Sequence, residues 1–114
     1  MVKKYIPQQG DIVYLNFNPQ SGHEQKGKRP ALIVSNGVFN SHVGLTFACP
    51  ITNTDRNYPF HIKLENHKIT GFIMCEQMKS LDYNSREISF VEKAESEVVE
   101  TALALIESIL KPQQ

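Results

Sequence analysis

Residues 11–35 have the sequence D-I-V-Y-L-N-F-N-P-Q-S-G-H-E-Q-K-G-K-R-P-A-L-I-V-S, in which a polar, glycine-containing segment separates two apolar runs. The first run, residues 11–17, is rich in β-branched and aromatic residues and ends at Asn18-Pro19, which predicts a strand and a turn. The second, residues 30–35, predicts a strand buried on both faces or a strand of a barrel. Pro19 to Pro30 is too polar and too glycine-rich for regular structure and predicts a loop joining the two strands. Because loops on a rigid scaffold concentrate binding and catalytic groups, this loop is the first candidate site.

Further short strands are predicted along the chain, at residues 44–51, 60–65, 69–77, 78–81 and 87–91. Residues 60–65, F-H-I-K-L-E, alternate strictly, which predicts Phe60 on the core face and His61 on the solvent face. Pro50 lacks a backbone donor, so it is expected at a sheet edge, at a bulge or at the end of its strand.

The last element predicted is an amphipathic helix that begins near Ser96, a candidate N-cap, and is stopped by Pro112. Its apolar residues recur at spacings of three and four: Val99, Ala102, Leu103, Ile106, Ile109 and Leu110. Short strands followed by one helix predict a mainly β protein, a small and strongly curved antiparallel β-barrel with a C-terminal α-helix. Residues 1–114 are expected to form a single domain.

The charge distribution argues for a local anion site. The formal net charge is zero, which disfavours a protein that coats nucleic acid through bulk positive potential. Residues 1–36 nevertheless carry five basic and two acidic side chains, whereas residues 92–114 carry two basic and five acidic ones. A basic front and an acidic tail suit a restricted anion-binding surface.

The cysteines and the hydropathy pattern indicate a cytoplasmic protein. Cys49 and Cys75 lie in apolar runs without CxxC or Cys/His metal spacing, and two buried thiols are favoured over a disulfide. No apolar stretch approaches the ~18 residues of a membrane span, and the N-terminus lacks the apolar core of a signal peptide. We therefore expect a soluble protein in the cytoplasm.

The polar loops favour chemistry that uses no metal and no cofactor, since phosphate-binding glycine motifs, metalloprotease motifs and carboxylate clusters are missing from the sequence. His23 is a candidate proton carrier near neutral pH and has Glu24 beside it. Pro30 restricts Arg29 to extended backbone, which aims a permanent cation suited to phosphate. RNA is a substrate that needs only such groups, because its own 2′-hydroxyl can attack the neighbouring phosphorus. The alternatives are a solvated histidine at His23 and ordinary surface cations.

Candidates outside this loop also have two interpretations each. The Thr52 hydroxyl either faces a site or caps a turn. Glu76 and Gln77 end an apolar strand, where they either contact bases or are ordinary edge residues. Tyr58 and Phe60 offer a stacking surface for a base, although Phe60 is also expected to fill the core.

Several of these segments together resemble the MazF/PemK family of toxin endoribonucleases, the toxin halves of bacterial type II toxin–antitoxin pairs. The resemblance spans essentially the whole chain. It is carried by these motifs: Gly10-Asp11-Ile12-Val13, G-H-E-Q-K-G-K-R-P at 22–30, Pro50-Ile51-Thr52, Tyr58-Pro59-Phe60, and Glu76-Gln77 followed by Lys79-Ser80.

The resemblance implies an SH3-like barrel that forms a homodimer and cuts single-stranded RNA at a short sequence without a metal ion. The products would be a 2′,3′-cyclic phosphate and a 5′-hydroxyl. The implied protein partner is a cognate antitoxin with an acidic, partly disordered segment that occupies the RNA groove.

Carried over by position, the implied catalytic residues are Arg29, Thr52, Glu24 and His23. Arg29 would act as proton carrier and phosphate clamp, Thr52 would assist at the scissile phosphate, and Glu24 would orient Arg29 or contact RNA. The expected RNA-binding residues are Lys28, Asn36, Tyr58, Glu76, Gln77 and Lys79.

One departure from the family decides between two mechanisms. Members in which a histidine at the position of His23 is the base have an arginine and an aspartate where this chain has Met74 and Glu76. The missing arginine favours the version centred on Arg29 and Thr52. Because arginine is a poor base at neutral pH, Arg29 is expected to act mainly as an electrostatic stabiliser.

Two other functions fit a barrel of this kind. One is a non-enzymatic toxin that binds DNA gyrase, although the C-terminal tail L-K-P-Q-Q lacks the aromatic end expected for it. The other is an inactive RNA-binding module, which would bind RNA without cutting it.

Overall fold

The structure, a computed structural model, describes residues 4–17 and 27–113. Within these ranges the chain forms seven strands and two helices, and two single 3-10 turns lie at Cys75–Gln77 and Tyr83–Ser85. The elements in chain order are β1 (Asp11–Asn16), β2 (Lys28–Ile33), α1 (Gly37–Val43), β3 (Thr46–Thr52), β4 (His61–Leu64), β5 (Gly71–Met74), β6 (Lys79–Leu81), β7 (Ser89–Lys93) and α2 (Ser96–Leu110).

The strands pair antiparallel in the order β4-β5-β3-β2-β1-β7, and β6 adds to β3 beside β5. The predicted mainly β fold with a C-terminal helix is therefore confirmed.

Strand β3 contacts three other strands, and it contains Pro50 in its interior. One edge of β3 pairs with β2, and the other pairs first with β6 at residues 46–48 and then with β5 at Ile51 and Thr52. Pro50 is buried and lies where the partner on that edge changes from β6, which ends its pairing at Ala48, to β5, which begins at Ile51. The expectation of an edge, bulge or strand end for Pro50 was wrong. Pro50 lies inside a central strand, at the break between two partner strands, and no backbone N–H is needed at such a break.

Alternation along the central strands builds two cores on opposite faces of the sheet. Leu32 and Cys49 point into a first core, which packs against α2 through Ala102. Ala31, Ile33 and Ala48 point into a second core on the other face, with Val13, Leu15 and Leu81. By the same two-residue alternation, the side chains of Arg29 on β2 and Thr52 on β3 lie on the face of the sheet that carries this second core.

Helix α2 closes the first core but differs in detail from its prediction. Glu95 is its N-cap residue and makes no side-chain cap hydrogen bond, so the assignment of Ser96 as N-cap was wrong and Ser96 is the first helical residue. The apolar stripe continues to Ile109 and Leu110, both of which are exposed. Neither helix in the described part of the chain is long and apolar enough to cross a membrane.

The loop predicted between Pro19 and Pro30 ends earlier than its composition indicated. Strand β2 begins at Lys28, and Lys28 and Arg29 are paired across from Asn16 and Leu15 of β1. Placing these two cations on the loop was therefore wrong, because pairing with β1 holds polar residues in a strand as readily as apolar ones. His23 and Glu24 lie outside the described residues.

The alternating segment 60–65 forms a strand, but its ends do not follow the alternation. Phe60 lies in a turn before β4 and is 36% exposed, so its assignment to the core was wrong. The His61 side chain is only 3% exposed, so its solvent-facing assignment was wrong as well. The Tyr58 ring and the Glu76 carboxylate contact it, and two-residue periodicity does not predict such contacts.

Both cysteines are buried free thiols, as predicted. Ile51 pairs with Ile73, and the same register extended by two residues places Cys49 across from Cys75. A hydrogen bond with Cys75, together with burial, raises the pKa of Cys49 above its ordinary value. A buried thiol of raised pKa is chemically inert, which fits a packing role.

A buried carboxylate fastens the N-terminal segment to the sheet. Asp11 accepts hydrogen bonds from the Tyr5 hydroxyl and from the Gln8 backbone N–H at 3.0 Å, and its other oxygen lies 2.5 Å from Lys93 Nζ. Burial, followed by the hydrogen bond to Asp11, raises the pKa of Tyr5. The three donors converge on one carboxylate at the start of β1.

Asp11→Ala should lower the free energy of unfolding by about 2 to 3 kcal/mol, because it leaves partly buried donors without an acceptor. Urea denaturation at fixed protein concentration measures this change. The matched control is Glu65→Ala, which removes an exposed carboxylate 3.7 Å from Lys63 and should cost about 0.5 kcal/mol or less. Equal losses in the two variants would contradict a structural role for Asp11.

Candidate functional site

Arg29 and Thr52 come from different strands and lie on one face of the sheet. Ala31 of β2 pairs with Pro50 of β3, and this antiparallel register extended by two residues places Arg29 across from Thr52. Directly opposed residues in antiparallel strands point to the same face, with Cβ atoms about 4.5–5.5 Å apart where pairing continues. Arg29 is exposed and Thr52 is half-buried, so an anion from solvent can reach both.

The Thr52 hydroxyl caps a turn and keeps a free donor. Its Oγ1 accepts a hydrogen bond from the Thr54 backbone N–H at 3.2 Å. A hydroxyl that accepts one bond still has its own proton to donate. The two interpretations of Thr52, turn cap and site residue, are therefore compatible.

Gly71 permits the close approach that positions Thr52. Its φ is +140°, and a Cβ added there would lie 2.5 Å from the Thr52 carbonyl oxygen and 3.2 Å from an Ile51 methyl. Thr52 pairs with Phe72, the residue after this glycine. The end of β3 can pack against β5 in this way only where the β5 residue has no side chain.

A second group of predicted residues surrounds a cleft of about 370 Å³, which we call the Tyr58 cleft. Its lining residues are Arg56, Tyr58, Met74, Glu76 and Gln77. The Tyr58 side chain is 51% exposed, which leaves ring surface for stacking. Phe72, the partner of Thr52, is two residues or about 7 Å from Met74 along β5. The Tyr58 cleft is thus adjacent to the Arg29 and Thr52 pair.

His61 lies beneath the Tyr58 cleft and contacts two of its residues. Its Nε2 is 2.9 Å from Glu76 Oε2, and its ring centroid is 5.1 Å from that of Tyr58. Sequence reasoning gave no role to His61 or to Arg56. His61 and Glu76 are fifteen residues apart, and only the β4–β5 register, in which His61 pairs with Met74, brings them together.

The remaining predicted RNA-binding residues are dispersed. Lys79 pairs with Ala48 and shares the Arg29 face, about 13 Å along β3 from Thr52. Lys28 alternates to the opposite face from Arg29. Asn36 lies beyond the far end of β2 and caps α1, where its Oδ1 accepts from the Phe39 N–H at 2.8 Å. The fold does not bring Asn36 near Arg29.

The arrangement offers two hydrogen-bond donors on one face and an exposed base-sized surface. A guanidinium and a hydroxyl on one face can hold the oxygens of a phosphate group. The adjacent carboxylate, amide and phenol ring can contact a nucleobase by hydrogen bonds and stacking. Among residues 4–17 and 27–113, no three His, Cys, Asp or Glu side chains are grouped as metal ligands.

A protein-family model described as "PemK-like, MazF-like toxin of type II toxin-antitoxin system" matches residues 8–110 of the chain. The match includes every predicted site residue. It also spans all of the strands and both helices.

Relatives of known name match over most of the chain. The endoribonuclease toxin ChpB of Escherichia coli K12 is 38% identical, over 97% of this chain and all of ChpB. The endoribonuclease toxin MazF of the same strain is 34% identical, over 75% of this chain and 78% of MazF.

Solved structures match in fold as well. A chain from the MazE–MazF crystal structure (Form-II) of Deinococcus radiodurans has a TM-score of 0.83 and 32% identity, over 96% of this chain and all of that chain. A MazF crystal structure (Form-I) from the same organism has a TM-score of 0.83 and 37% identity, over 94% of this chain and 98% of that one.

Gly71→Ala should destabilise the protein by about 2 to 4 kcal/mol, because it adds a clash with the Thr52 carbonyl to the strain of a positive φ. The control is Gly44→Ala, which has φ +79° but no atom within 4 Å of the added Cβ, and should cost about 1 to 2 kcal/mol. Urea denaturation measures both. If the two variants lose the same stability, the close approach of Gly71 to Thr52 does not constrain the site.

Proposed function

The chain belongs to the PemK-like, MazF-like family of type II toxin–antitoxin toxins, and we propose on that premise that it is a sequence-specific endoribonuclease that cuts single-stranded RNA without a metal ion. The observation that carries the proposal is the register of β2 and β3, in which Ala31 pairs with Pro50. Continued by two residues, this register puts Arg29 and Thr52 on one accessible face of the sheet. The names of its relatives ChpB and MazF, both endoribonuclease toxins, support the same activity.

The reaction is an internal transesterification. The 2′-oxygen loses its proton to a base and forms a bond to the adjacent phosphorus, and the bond from phosphorus to the 5′-oxygen breaks. The 5′-oxygen takes up a proton, which leaves a 2′,3′-cyclic phosphate and a 5′-hydroxyl. The step changes no oxidation state, and an acid, a base and a cation at the phosphoryl oxygens are sufficient for it.

Arg29 and Thr52 stabilise the charge that develops during this step. The Arg29 guanidinium donates to the phosphoryl oxygens, and the Thr52 hydroxyl, already oriented by the Thr54 N–H, donates a further hydrogen bond. Arg29 acts chiefly as a cation. Glu24 and His23 remain predicted members of the catalytic set.

The Tyr58 cleft gives the enzyme its sequence preference. Tyr58 stacks on one base, while Glu76 and Gln77 contact base edges through their side chains. Lys79 lies on the same sheet face as Arg29 and binds a phosphate farther along the RNA. Lys28 adds positive charge. Asn36 contacts RNA only if the RNA extends to the start of α1.

A cognate antitoxin and a second copy of the chain are the proposed protein partners. Structures of similar fold were solved as MazE–MazF complexes, which supports the antitoxin. An acidic antitoxin segment would compete with RNA for the face that carries Arg29 and Lys79, since both ligands are anionic. A zero overall charge fits a surface that is basic only locally.

In EDTA, the purified protein should cut single-stranded RNA, and Arg29→Ala should lower the rate by about 10²–10³-fold because the cationic donor to the phosphoryl oxygens is lost. Thr52→Val, which removes only the hydroxyl, should lower it by about 10-fold or more. Primer extension on a long RNA measures the rates and maps the cut sites.

Lys111→Ala is the control, because it removes an exposed cation at the end of α2, where Lys111 lies 3.8 Å from Glu107. It should cut like the wild type. Normal cutting by Arg29→Ala with an unchanged urea denaturation curve would contradict the assigned site. Inhibition of gyrase supercoiling without RNA cleavage would contradict the proposed function and favour the gyrase-binding alternative.

A further inference from the structure

His61 is a buried titratable side chain that the proposed mechanism does not use. Its imidazole is 3% exposed and has Glu76 and Tyr58 as its neighbours on the cleft side. Nε2 lies 2.9 Å from Glu76 Oε2, whereas Nδ1 is buried and has no hydrogen-bond partner among the described residues.

The unpaired Nδ1 distinguishes His61 from an ordinary core histidine. Buried polar atoms are paired in the great majority of cases, and an unpaired one costs about 1–3 kcal/mol. A Leu or Phe at residue 61 would fill the same space without that cost. The one interaction that such a residue would lack is the donor to the Glu76 carboxylate.

We propose that His61 is a positioning residue for RNA recognition: it fixes the Glu76 carboxylate so that the free oxygen receives an amino group of a nucleobase. This inference rests on the proposed function. The His61 Nε2–H donates to Oε2, and none of the hydrogen bonds within residues 4–17 and 27–113 engages Oε1. The Glu76 side chain is 27% exposed, so Oε1 remains accessible from the Tyr58 cleft.

The chemistry of Glu76 restricts the base. An ionised carboxylate only accepts hydrogen bonds, so the base edge that it contacts must donate. Adenine, cytosine and guanine carry an exocyclic amino group, which is the donor that we assign to Glu76; uracil has none and donates only through its ring N3–H. The same imidazole supports the Tyr58 ring, so base stacking and amino-group recognition share one buried support.

The test uses short RNAs that contain the mapped cut site, in which each base is replaced in turn by its analogue without the amino group. The replacements are inosine for guanosine, purine riboside for adenosine and pyrimidin-2-one riboside for cytidine. For the wild type, one replacement should lower kcat/KM by about 10-fold, mainly through KM, as expected for the loss of one base contact.

His61→Leu, which removes the donor but keeps an apolar side chain, should reduce that discrimination to about 3-fold or less. His61→Gln should retain it, because the glutamine amide can donate near the position of Nε2. A structural role alone would change stability in both variants without changing which base is preferred. Urea denaturation of each variant checks that it is folded.

Glu76→Gln keeps the buried ring untouched and covers the case in which His61→Leu does not fold. Its amide oxygen accepts from His61 and its NH₂ faces the base, so the dependence on an amino group should disappear. Unchanged discrimination in Glu76→Gln, or in a folded His61→Leu, would overturn the inference. A wild-type profile with no amino-dependent position would overturn it also. If the wild type cuts no RNA, the proposed function itself fails.

Discussion

The central constraint on this structure is that the single strand β3 pairs with three other strands. Its seven residues pair with β2 on one edge and with β6 and then β5 on the other, so both cores and both parts of the site depend on it. Pro50 sits at the change of partner, where a missing donor is tolerated. Thr52, two residues later, thereby lies between Arg29 on β2 and the Tyr58 cleft beside β5. A shift of β3 by one residue would send Thr52 to the other face and separate these groups.

The electrostatics of the site are local. The chain has no net charge, yet an exposed arginine and lysine share the sheet face that carries Thr52. Such a face can attract an RNA strand without making the whole protein a nonspecific polyanion binder. Two other carboxylates are held by hydrogen bonds within the fold: Asp11 fastens the N-terminal segment, and Glu76 accepts from His61. Each of these carboxylates accepts from a residue on a strand elsewhere in the fold: Lys93 of β7 for Asp11 and His61 of β4 for Glu76.

The sequence predicted what depends on local pattern and missed what depends on tertiary contacts. Alternation and apolar runs identified the strands, and the three- and four-residue spacing identified α2. The start of β2 at Lys28 was missed because pairing with β1, rather than composition, holds those residues extended. Phe60 was predicted in the core and His61 in solvent, and both predictions were wrong. Strand β4 has only four residues and does not include Phe60, and the Tyr58 ring covers His61. Arg29 and Thr52 were predicted as site residues through family resemblance, and the register of β2 and β3, continued by two residues, puts them on one face of the sheet.

The claim that the substrate supplies its own nucleophile can be tested with one chemical change in the RNA. A single 2′-deoxynucleotide is placed immediately 5′ of the scissile phosphate in an RNA that the wild-type protein cuts, with the same change one nucleotide upstream as control. The account predicts that cutting at that phosphate is abolished, that the control RNA is cut normally, and that the products of the unmodified RNA end in a 2′,3′-cyclic phosphate and a 5′-hydroxyl. Normal cutting 3′ of the 2′-deoxynucleotide would contradict it.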